Sequence, residues 1–416
     1  MDPYRGGDAA TQYIQQVLEV QGGQGRTIAL LYIGLDHFKR INKSFGHNIG
    51  DQLLFSIGRR LHRLVTQDAH AVRIGGDSFV YLFTYCTVSD IHEVIDQLNA
   101  QLRLPFRLGD QSIYIGASIG VSRFPEHASS ADQLLKKAEM AMVDIKEQMG
   151  SRVQMYDPKL SEKLARRLLI HAELAKAVQH WPFTLYYQPI ISLKNRQAIG
   201  MECLIRWFHP TLGAIPPSEF IPLAEETGLI APIGMWVLEE ACLQNKRWQD
   251  AGLSPIVMSV NLSSRQFYDP SFLEALNAIL QRTGLAPQWL ELEITEGVMM
   301  DIRTTLPILR ELRARGIQLA IDDFGTGYSS LKYLKELPVD KLKIDRSFIQ
   351  HIEENVVHAA IVQALLTMSA QLELHVVAEG VERDEELDAL MRMGCEYAQG
   401  FLFSRPVAAE EASELL

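Results

Sequence analysis

Two kinds of periodicity divide the chain. Up to about Tyr156, short apolar runs of strand length alternate with stretches whose apolar residues recur three or four positions apart. The runs are IALLYIGL (28–35), AVRIGG (71–76), SFVYLF (78–83) and IYIGASIGVS (113–122). The stretches GDQLLFSIGRRLHRLV, SDIHEVIDQLNAQL and ADQLLKKAEMAMVDIKEQM predict helices between them. These strands are too few for a barrel, so the pattern predicts one α+β domain with helices against a single sheet. Gly75-Gly76, between two runs, predicts a tight β-turn. The polar helical segment DPKLSEKLARRLLIHAELAKAVQH then leads into a second region. We therefore divide the chain into a domain at 1–156, a helical connector and start of the next domain at 157–180, and a second domain at 181–416. In that domain eight apolar runs alternate with long helical stretches: FTLYYQPII, AIGMECLIRW, IVMSVNLS, WLELEIT, IQLAIDD, KLKID, LHVVAEG and YAQGFLFS. This pattern predicts an α/β fold, a TIM-like (β/α)8 barrel.

Composition narrows the classes. A length of 416 residues allows two or three domains of about 150 residues each. A hydrophobic share of 47% against 22% charged residues excludes wholesale disorder. The net charge of −11 argues against a binder of DNA or RNA polymers, but leaves room for a small anionic ligand in a local pocket. No apolar run is long enough to span a bilayer, and the start MDPYRGGD lacks the pattern of a secretory leader. Cys86, Cys203, Cys242 and Cys395 form no C-x-x-C pair and read as reduced thiols. The expected setting is the cytoplasm, either for the chain itself or for the cytoplasmic portion of a larger sensor-linked or membrane-anchored protein.

The chemistry stands at the ends of the second domain's strands. Glu202, Asn261, Glu293, Asp322-Asp323, Lys343, Glu379 and Gln399 each close an apolar run. In a barrel of this kind the C-terminal strand ends meet on one face, so residues far apart in sequence converge in one bowl. Carboxylates and an amide oxygen are hard ligands, suited to Mg2+ or Mn2+. Several carboxylates cannot stay ionised together unless cations neutralise them. Two metals about 4 Å apart can clamp the attacking and leaving oxygens of a phosphoryl transfer. A nearby lysine would stabilise the attacking water or the developing charge. Any one acidic residue at a strand end is equally a helix cap or a surface charge, and IDDFG alone could be a strand with a capped turn. The whole series, one group per successive strand, is harder to explain that way.

This half resembles the EAL domain, a phosphodiesterase of cyclic di-GMP. The matching segments are Glu202-Cys203-Leu204 with Ile205-Arg206-Trp207, YYQPI (186–190), FIPLAEETGLI (220–230), VNLSSRQF (260–267) and ELEITE (291–296). IDDFGTGYSSLKYLKELPVDKLKIDRSFI (321–349), VVAEGVE (376–382) and QGFLFSRP (399–406) continue the series in family order. Cys203 holds the middle position of the name motif, which is not a ligand position. The resemblance implies that Glu202, Asn261, Glu293 and Asp322 are metal ligands, with Asp323 on a second ion and Glu379 a further acidic ligand. It implies that Lys343 orients the hydrolytic water, and that Gln188, Arg206 and Gln399 contact substrate. Glu296 would hold the loop DFGTGYSSL (323–331), which in the family links the metal site to dimer contacts. The implied catalytic group is Glu202, Lys343, Asp323 and Glu379.

The first half resembles a GGDEF domain, which makes cyclic di-GMP from two GTP. The matches are LDHFKRINKSFGHNIGDQLL (35–54), RIGGDSF (73–79), GASIGVSRFP (116–125) and KKAEMAMVDIK (136–146). Two family ligands are changed. Gly34 stands where the first metal aspartate is expected, and Ser78 replaces the glutamate of the signature after Gly75-Gly76-Asp77. Condensation of GTP needs metal held by carboxylates, and neither residue offers one. The opening motif is reduced to Asp2-Pro3-Tyr4-Arg5-Gly6, and the feedback motif R-x-x-D is absent at 66–69. Lys39 and Lys146 lie at phosphate-contact positions, Asn42 and Asp51 at guanine-reading positions, and Asp77 keeps the signature aspartate. Two readings stay open for this domain: a GTP-binding regulatory remnant, or a packing and dimerisation module.

Together the resemblances imply a Mg2+- or Mn2+-dependent phosphodiesterase that opens cyclic di-GMP to linear pGpG, joined to an inactive cyclase domain. GTP is a candidate regulator, a homodimer through the EAL domain is expected, and any sensor domain lies outside this chain. The alternatives are a cyclic di-GMP receptor without turnover and a bifunctional enzyme.

Overall fold

The computed structural model of the chain describes residues 7–22, 26–65, 69–85, 87–108, 111–146, 153–325 and 334–416. The opening motif at Asp2–Gly6, most of the 66–69 segment, Cys86 and most of the glycine-rich loop after Asp323 lie outside them. Two compact units meet between Leu168 and Leu169, within the helix Pro158–His180.

The first unit holds β1 (Thr27–Leu35), β2 (Ala69–Gly75), β3 (Ser78–Tyr85), β4 (Phe106–Leu108), β5 (Gln111–Ile113), β6 (Ala117–Phe124) and β7 (Val153–Met155). Five of them form one sheet in the order β2-β3-β1-β6-β7, while β4 and β5 pair as a separate ribbon. β1 is central and antiparallel to both neighbours. Helices cover both of its faces, which explains its unbroken apolar run. Leu31 and Ile33 pack with Leu53, Ile57 and Ile91 on one side. Leu30 and Tyr32 pack with Ile14, Leu134 and Ala138 on the other. On β6, Gly120 permits the close approach of the helix Ala131–Lys146, since a Cβ there would lie 2.0 Å from the Ala138 carbonyl. The expected strand over 113–122 divides instead. β5 ends at Ile113, and β6 starts at Ala117 once the backbone of Gly116 has accepted a bond from Asp36. The β2–β3 turn is tight, as Gly75-Gly76 suggests, with Gly75 paired to Ser78 and Gly76 at a φ of 51°.

The second unit is a barrel. Its strands are β8 (Phe183–Ser192), β9 (Ala198–His209), β11 (Val257–Leu262), β12 (Leu290–Thr295), β13 (Gln318–Phe324), β14 (Lys341–Ile344), β15 (His375–Ala378) and β16 (Tyr397–Ala398). A short strand, β10 (Gly213–Ile215), pairs only with β9. Neighbours run in that order, and β8 pairs with both β16 and β9, so the eight-stranded sheet closes. The pairings from β9 through β16 are parallel, but β8 is antiparallel to both neighbours. Not all strand ends therefore point to one face, and Gln188 reaches the bowl from the middle of a reversed strand. The last run, YAQGFLFS, is strand only at Tyr397–Ala398 and turns beyond Gln399. One apolar core fills the space between barrel and helices, from Ile170 and Leu174 to Ala412. Among the described residues no helix is long and apolar enough to cross a membrane.

Candidate functional site

Strand register assembles the bowl. Gln188 lies opposite Glu202 across the β8–β9 pair. Asn261 pairs with Glu293 across β11–β12. Asp322 pairs with Thr295 across β12–β13. Lys343 is the third residue of β14, and Glu379 and Gln399 directly follow β15 and β16. Side chains alternate along a strand, so Cys203, Ile205 and Trp207 point into the outer core while Glu202 turns inward.

Lys343 is the hub. Its Nζ lies 2.7 Å from Glu379 Oε1, 2.8 Å from Glu293 Oε1, and 3.4 Å from both Glu202 Oε2 and Asp322 Oδ1. Lys343 and Glu293 are each only 1% exposed. Burial would discharge the ammonium, but the four carboxylates outweigh it and hold its pKa well above the ordinary lysine value. The carboxyls move the other way. Burial raises Glu293 well above its ordinary value, against the pull of Lys343, and Glu202 and Asp322 add to the rise. Glu379 is pushed up to about 8, again by burial first. Asp323 rises through burial and the charge of Asp322.

Amides organise the rim of this cluster. Asn261 Nδ2 donates to Glu202 Oε1 at 2.8 Å, which leaves its amide oxygen as an acceptor for a ligand. Gln399 Nε2 donates to Glu202 Oε2 at 2.7 Å and to Gln188 Oε1 at 3.1 Å. Gln188 in turn donates to the Ser404 carbonyl at 3.0 Å. Arg206, four residues past Glu202 on the same face of β9, donates to the Ile205 carbonyl at 2.9 Å and lies 5.5 Å from the Tyr186 ring centre. The structure thus joins Gln188, Glu202, Asn261, Glu293, Asp322, Lys343, Glu379 and Gln399 in one contact network, with Arg206 beside it. Glu296 follows β12 directly, and its Oε2 accepts from the Gly325 backbone at 3.3 Å, at the start of the glycine-rich loop.

The donor set fits divalent metal. Asp322, Asp323 and Glu379 each bring a carboxylate oxygen within 4.8 Å of the others. Asp323 takes a left-handed backbone, with a φ of 53°, where the β13–β14 register shifts. Both oxygens of Glu293 and Oδ1 of Asp322 are buried without a hydrogen-bond partner. Lys343 is the cation beside two of these oxygens, and one ammonium does not neutralise so many carboxylates, so the set suits further positive charge.

Three polar residues below this cluster were not among the sequence candidates. Ser259 Oγ donates to Glu291 Oε1 at 2.6 Å, and Lys341 Nζ lies 2.8 Å from Glu291 Oε2. Their signal is a polar pair two residues apart on each strand: Ser259 and Asn261, Glu291 and Glu293, Lys341 and Lys343.

In the first unit, Gly34 pairs directly with Ser78 across β1–β3, so the two changed positions face each other. A Cβ on Gly34 would lie 2.7 Å from Met142 Sδ. Beside them a cavity of about 500 Å3 is lined by Lys39, Arg40, Lys43, Asp77 and Lys146, among others. Lys146 Nζ donates to the Leu35 carbonyl at 3.1 Å and lies 3.9 Å from Asp77 Oδ2. Asn42 and Asp51 do not line that cavity. Asn42 packs its Oδ1 against Gly50, and Asp51 is exposed on the next helix.

The profile of the EAL domain family matches residues 171–406, and that of the diguanylate cyclase GGDEF domain matches residues 8–152. The bifunctional diguanylate cyclase/cyclic di-GMP phosphodiesterase MucR of Pseudomonas aeruginosa is 38% identical over 97% of this chain and 58% of its own length. The cyclic di-GMP phosphodiesterase NbdA of the same organism is 37% identical over 94% of this chain and 50% of its own length. The chain therefore spans little more than half the length of these curated relatives. Among solved structures, the PaMucR phosphodiesterase in complex with c-di-GMP is 45% identical. It covers 59% of this chain and 99% of its own, with a TM-score of 0.57.

Proposed function

Because the chain belongs to the EAL domain family and carries a GGDEF domain ahead of the EAL domain, we propose that it is a metal-dependent phosphodiesterase hydrolysing cyclic di-GMP to linear pGpG. The observation that carries this reading is the charge balance of the bowl. Five carboxylates, Glu202, Glu293, Asp322, Asp323 and Glu379, gather around one ammonium, Lys343. Two divalent cations would balance the four charges that remain. Glu202, Asn261, Glu293, Asp322, Asp323 and Glu379 would hold them. When bound, Mg2+ or Mn2+ supplies activation of a water and neutralisation of the phosphate.

The chain's own groups do the rest. Lys343, fixed by Glu293 and Glu379, orients the attacking water and offsets charge on the phosphoryl oxygens. Gln399 and Gln188 form a hydrogen-bonded pair that positions substrate beside Glu202. Arg206, held over Tyr186, meets the phosphate or a base at the rim. Glu296 anchors the loop that follows Asp323. The test is incubation with cyclic di-GMP and Mg2+, Mn2+ or Ca2+, followed by nucleotide chromatography. The first two are expected to yield pGpG. Ca2+ is expected to inhibit, since its longer and looser coordination misplaces the water. A metal-independent rate would overturn the reading.

For the first domain, the same reading assigns no synthesis of cyclic di-GMP, supported by Gly34 facing Ser78 where carboxylates are needed. GTP as a regulator is supported by the basic cavity at Lys39 and Lys146, beside Asp77. Asn42 and Asp51 would supply guanine contacts from the neighbouring helices. A homodimer through the barrel domain is supported by the helix Val356–Gln371, where Val356 is 82% exposed on a largely apolar helix. A cytoplasmic setting is supported by Cys203, Cys242 and Cys395, all buried as free thiols.

A further inference from the structure

Below the acidic bowl lies a second, closed polar layer built from the same strands. Glu291 and Glu293 share the inner face of β12, and Lys341 and Lys343 share that of β14. Between those strands β13 presents Ala320, which pairs with both Glu293 and Lys341. Ala320 is fully buried and small, so long side chains can meet across it. Two glutamate–lysine pairs are thereby stacked: Glu293 with Lys343 at 2.8 Å above, and Glu291 with Lys341 at 2.8 Å below.

The two pairs are not equivalent. The upper lysine is shared among four carboxylates. The lower lysine pairs with Glu291 alone among the described ion pairs, and Ser259 donates to the other oxygen of that carboxylate. Glu291 and Ser259 are fully buried and Lys341 is 6% exposed. The lower layer is therefore a charge-balanced pair directly beneath the proposed metal ligands.

We propose that the Glu291–Lys341 pair is a charge-neutral floor that sets the cation affinity of the bowl. This inference rests on the metal-dependent reading above. Charges in the barrel interior are weakly screened, so an imbalance one layer down acts on Glu293 and on any cation bound above it. Lys341 cancels Glu291, which leaves the upper carboxylates to set the field felt by the metals. Removing Glu291 alone strands a positive charge under the site and repels cations. Removing Lys341 alone strands a negative charge and attracts them. Removing both restores neutrality.

The test is Mn2+ binding to the full chain, followed by calorimetry and by the electron paramagnetic resonance signal of free Mn2+, with no substrate present. Glu291→Gln is expected to weaken Mn2+ binding by roughly tenfold. Lys341→Met is expected to shift affinity the opposite way, and the double variant to return within about threefold of the parent chain. Ser259→Ala, which leaves both charges in place, is expected to stay within about threefold. Under turnover, the Mn2+ concentration for half-maximal rate should follow the same order, while kcat at saturating Mn2+ changes less. Thermal midpoints identify a variant that fails to fold, and the sign of the Lys341→Met shift then decides. Equal affinities in both single variants, or a double variant as weak as Glu291→Gln, would overturn the floor. A parent chain that binds no Mn2+ would overturn the metal reading itself and the floor with it.

Discussion

The two clefts of this chain stand at strand ends and carry opposite charge. In the barrel, four carboxylates crowd around Lys343, and a fifth, Asp323, lies beside Asp322 and Glu379. In the first unit, Lys39, Arg40, Lys43 and Lys146 line a cavity with Asp77, next to Gly34 paired with Ser78. The first arrangement is costly without cations and is built to hold them. The second keeps groups that suit an anion, with Asp77 among them and no carboxylate at positions 34 and 78. A mostly antiparallel sheet in one unit and a closed, mostly parallel barrel in the other thus each carry a polar cleft, one acidic and one basic. What each cleft can bind is set by the side chains at its strand ends, which the fold alone does not dictate.

The sharpest way to break this comparison is to take one carboxylate from the bowl. Glu202→Gln removes a carboxylate that Asn261 and Gln399 hold in place, and is expected to lower turnover by at least about 1000-fold. Steady-state pGpG production would measure it. Next in size, Lys343→Ala is expected to lower kcat by at least about 100-fold while cyclic di-GMP still binds. Calorimetry beside kinetics separates the two effects. Equal, mild losses in both variants would argue against the assigned roles.

The first domain offers the converse test. A chain with Glu202→Gln, so that product survives, is expected to form no cyclic di-GMP from GTP with Mg2+. Product detected by chromatography would contradict the inactive reading. Adding Gly34→Asp and Ser78→Glu is not expected to restore full synthesis. A Cβ at position 34 would lie 2.7 Å from Met142 Sδ, so the Met142 side chain would have to swing aside, and the opening motif at 2–6 stays reduced.

The series was legible because each polar residue interrupts or follows an apolar run, which a core strand rarely tolerates, although Glu202 proves to lie in the first half of the long strand β9 rather than at its end. Strand direction was not legible. The alternation in FTLYYQPII reads the same either way, so the reversal of β8 appears only once its pairing with β9 and β16 is known. The break at Tyr114–Gly116 was hidden by its apolar residues, which continue the pattern without pairing. Ser259, Glu291 and Lys341 were less legible because Ser259 and Glu291 sit inside their strand runs and Lys341 opens one. Only the three-dimensional register turns them into a layer.

Smaller effects sharpen the contrast through pH and GTP. In the metal-free chain the Glu379 pKa of about 8 lies above its unfolded value, which is about 4.3. A group raised in this way contributes its full stability below the unfolded value and loses it as pH rises through the folded one. Glu293 is shifted in the same direction. The thermal midpoint of the metal-free chain is therefore expected to fall between about pH 4.3 and pH 8 on account of these groups. Saturating Mg2+ should flatten that fall, because it favours the ionised carboxylates. Smaller still is the effect of GTP. Binding is expected to be modest, with phosphate contacts from Lys39 and Lys146, and to be lost in Asp51→Ala. No heat at millimolar GTP and unchanged hydrolysis rates would leave the first domain as scaffold.

The central claim is that the bowl turns cyclic di-GMP over rather than merely holding it. The direct measurement is to mix a known amount of the chain with excess cyclic di-GMP and Mn2+, denature samples over time, and count both nucleotides per chain. The account predicts many pGpG per chain, rising steadily and abolished by Glu202→Gln. One intact cyclic di-GMP per chain, released unchanged at every time point, would contradict it.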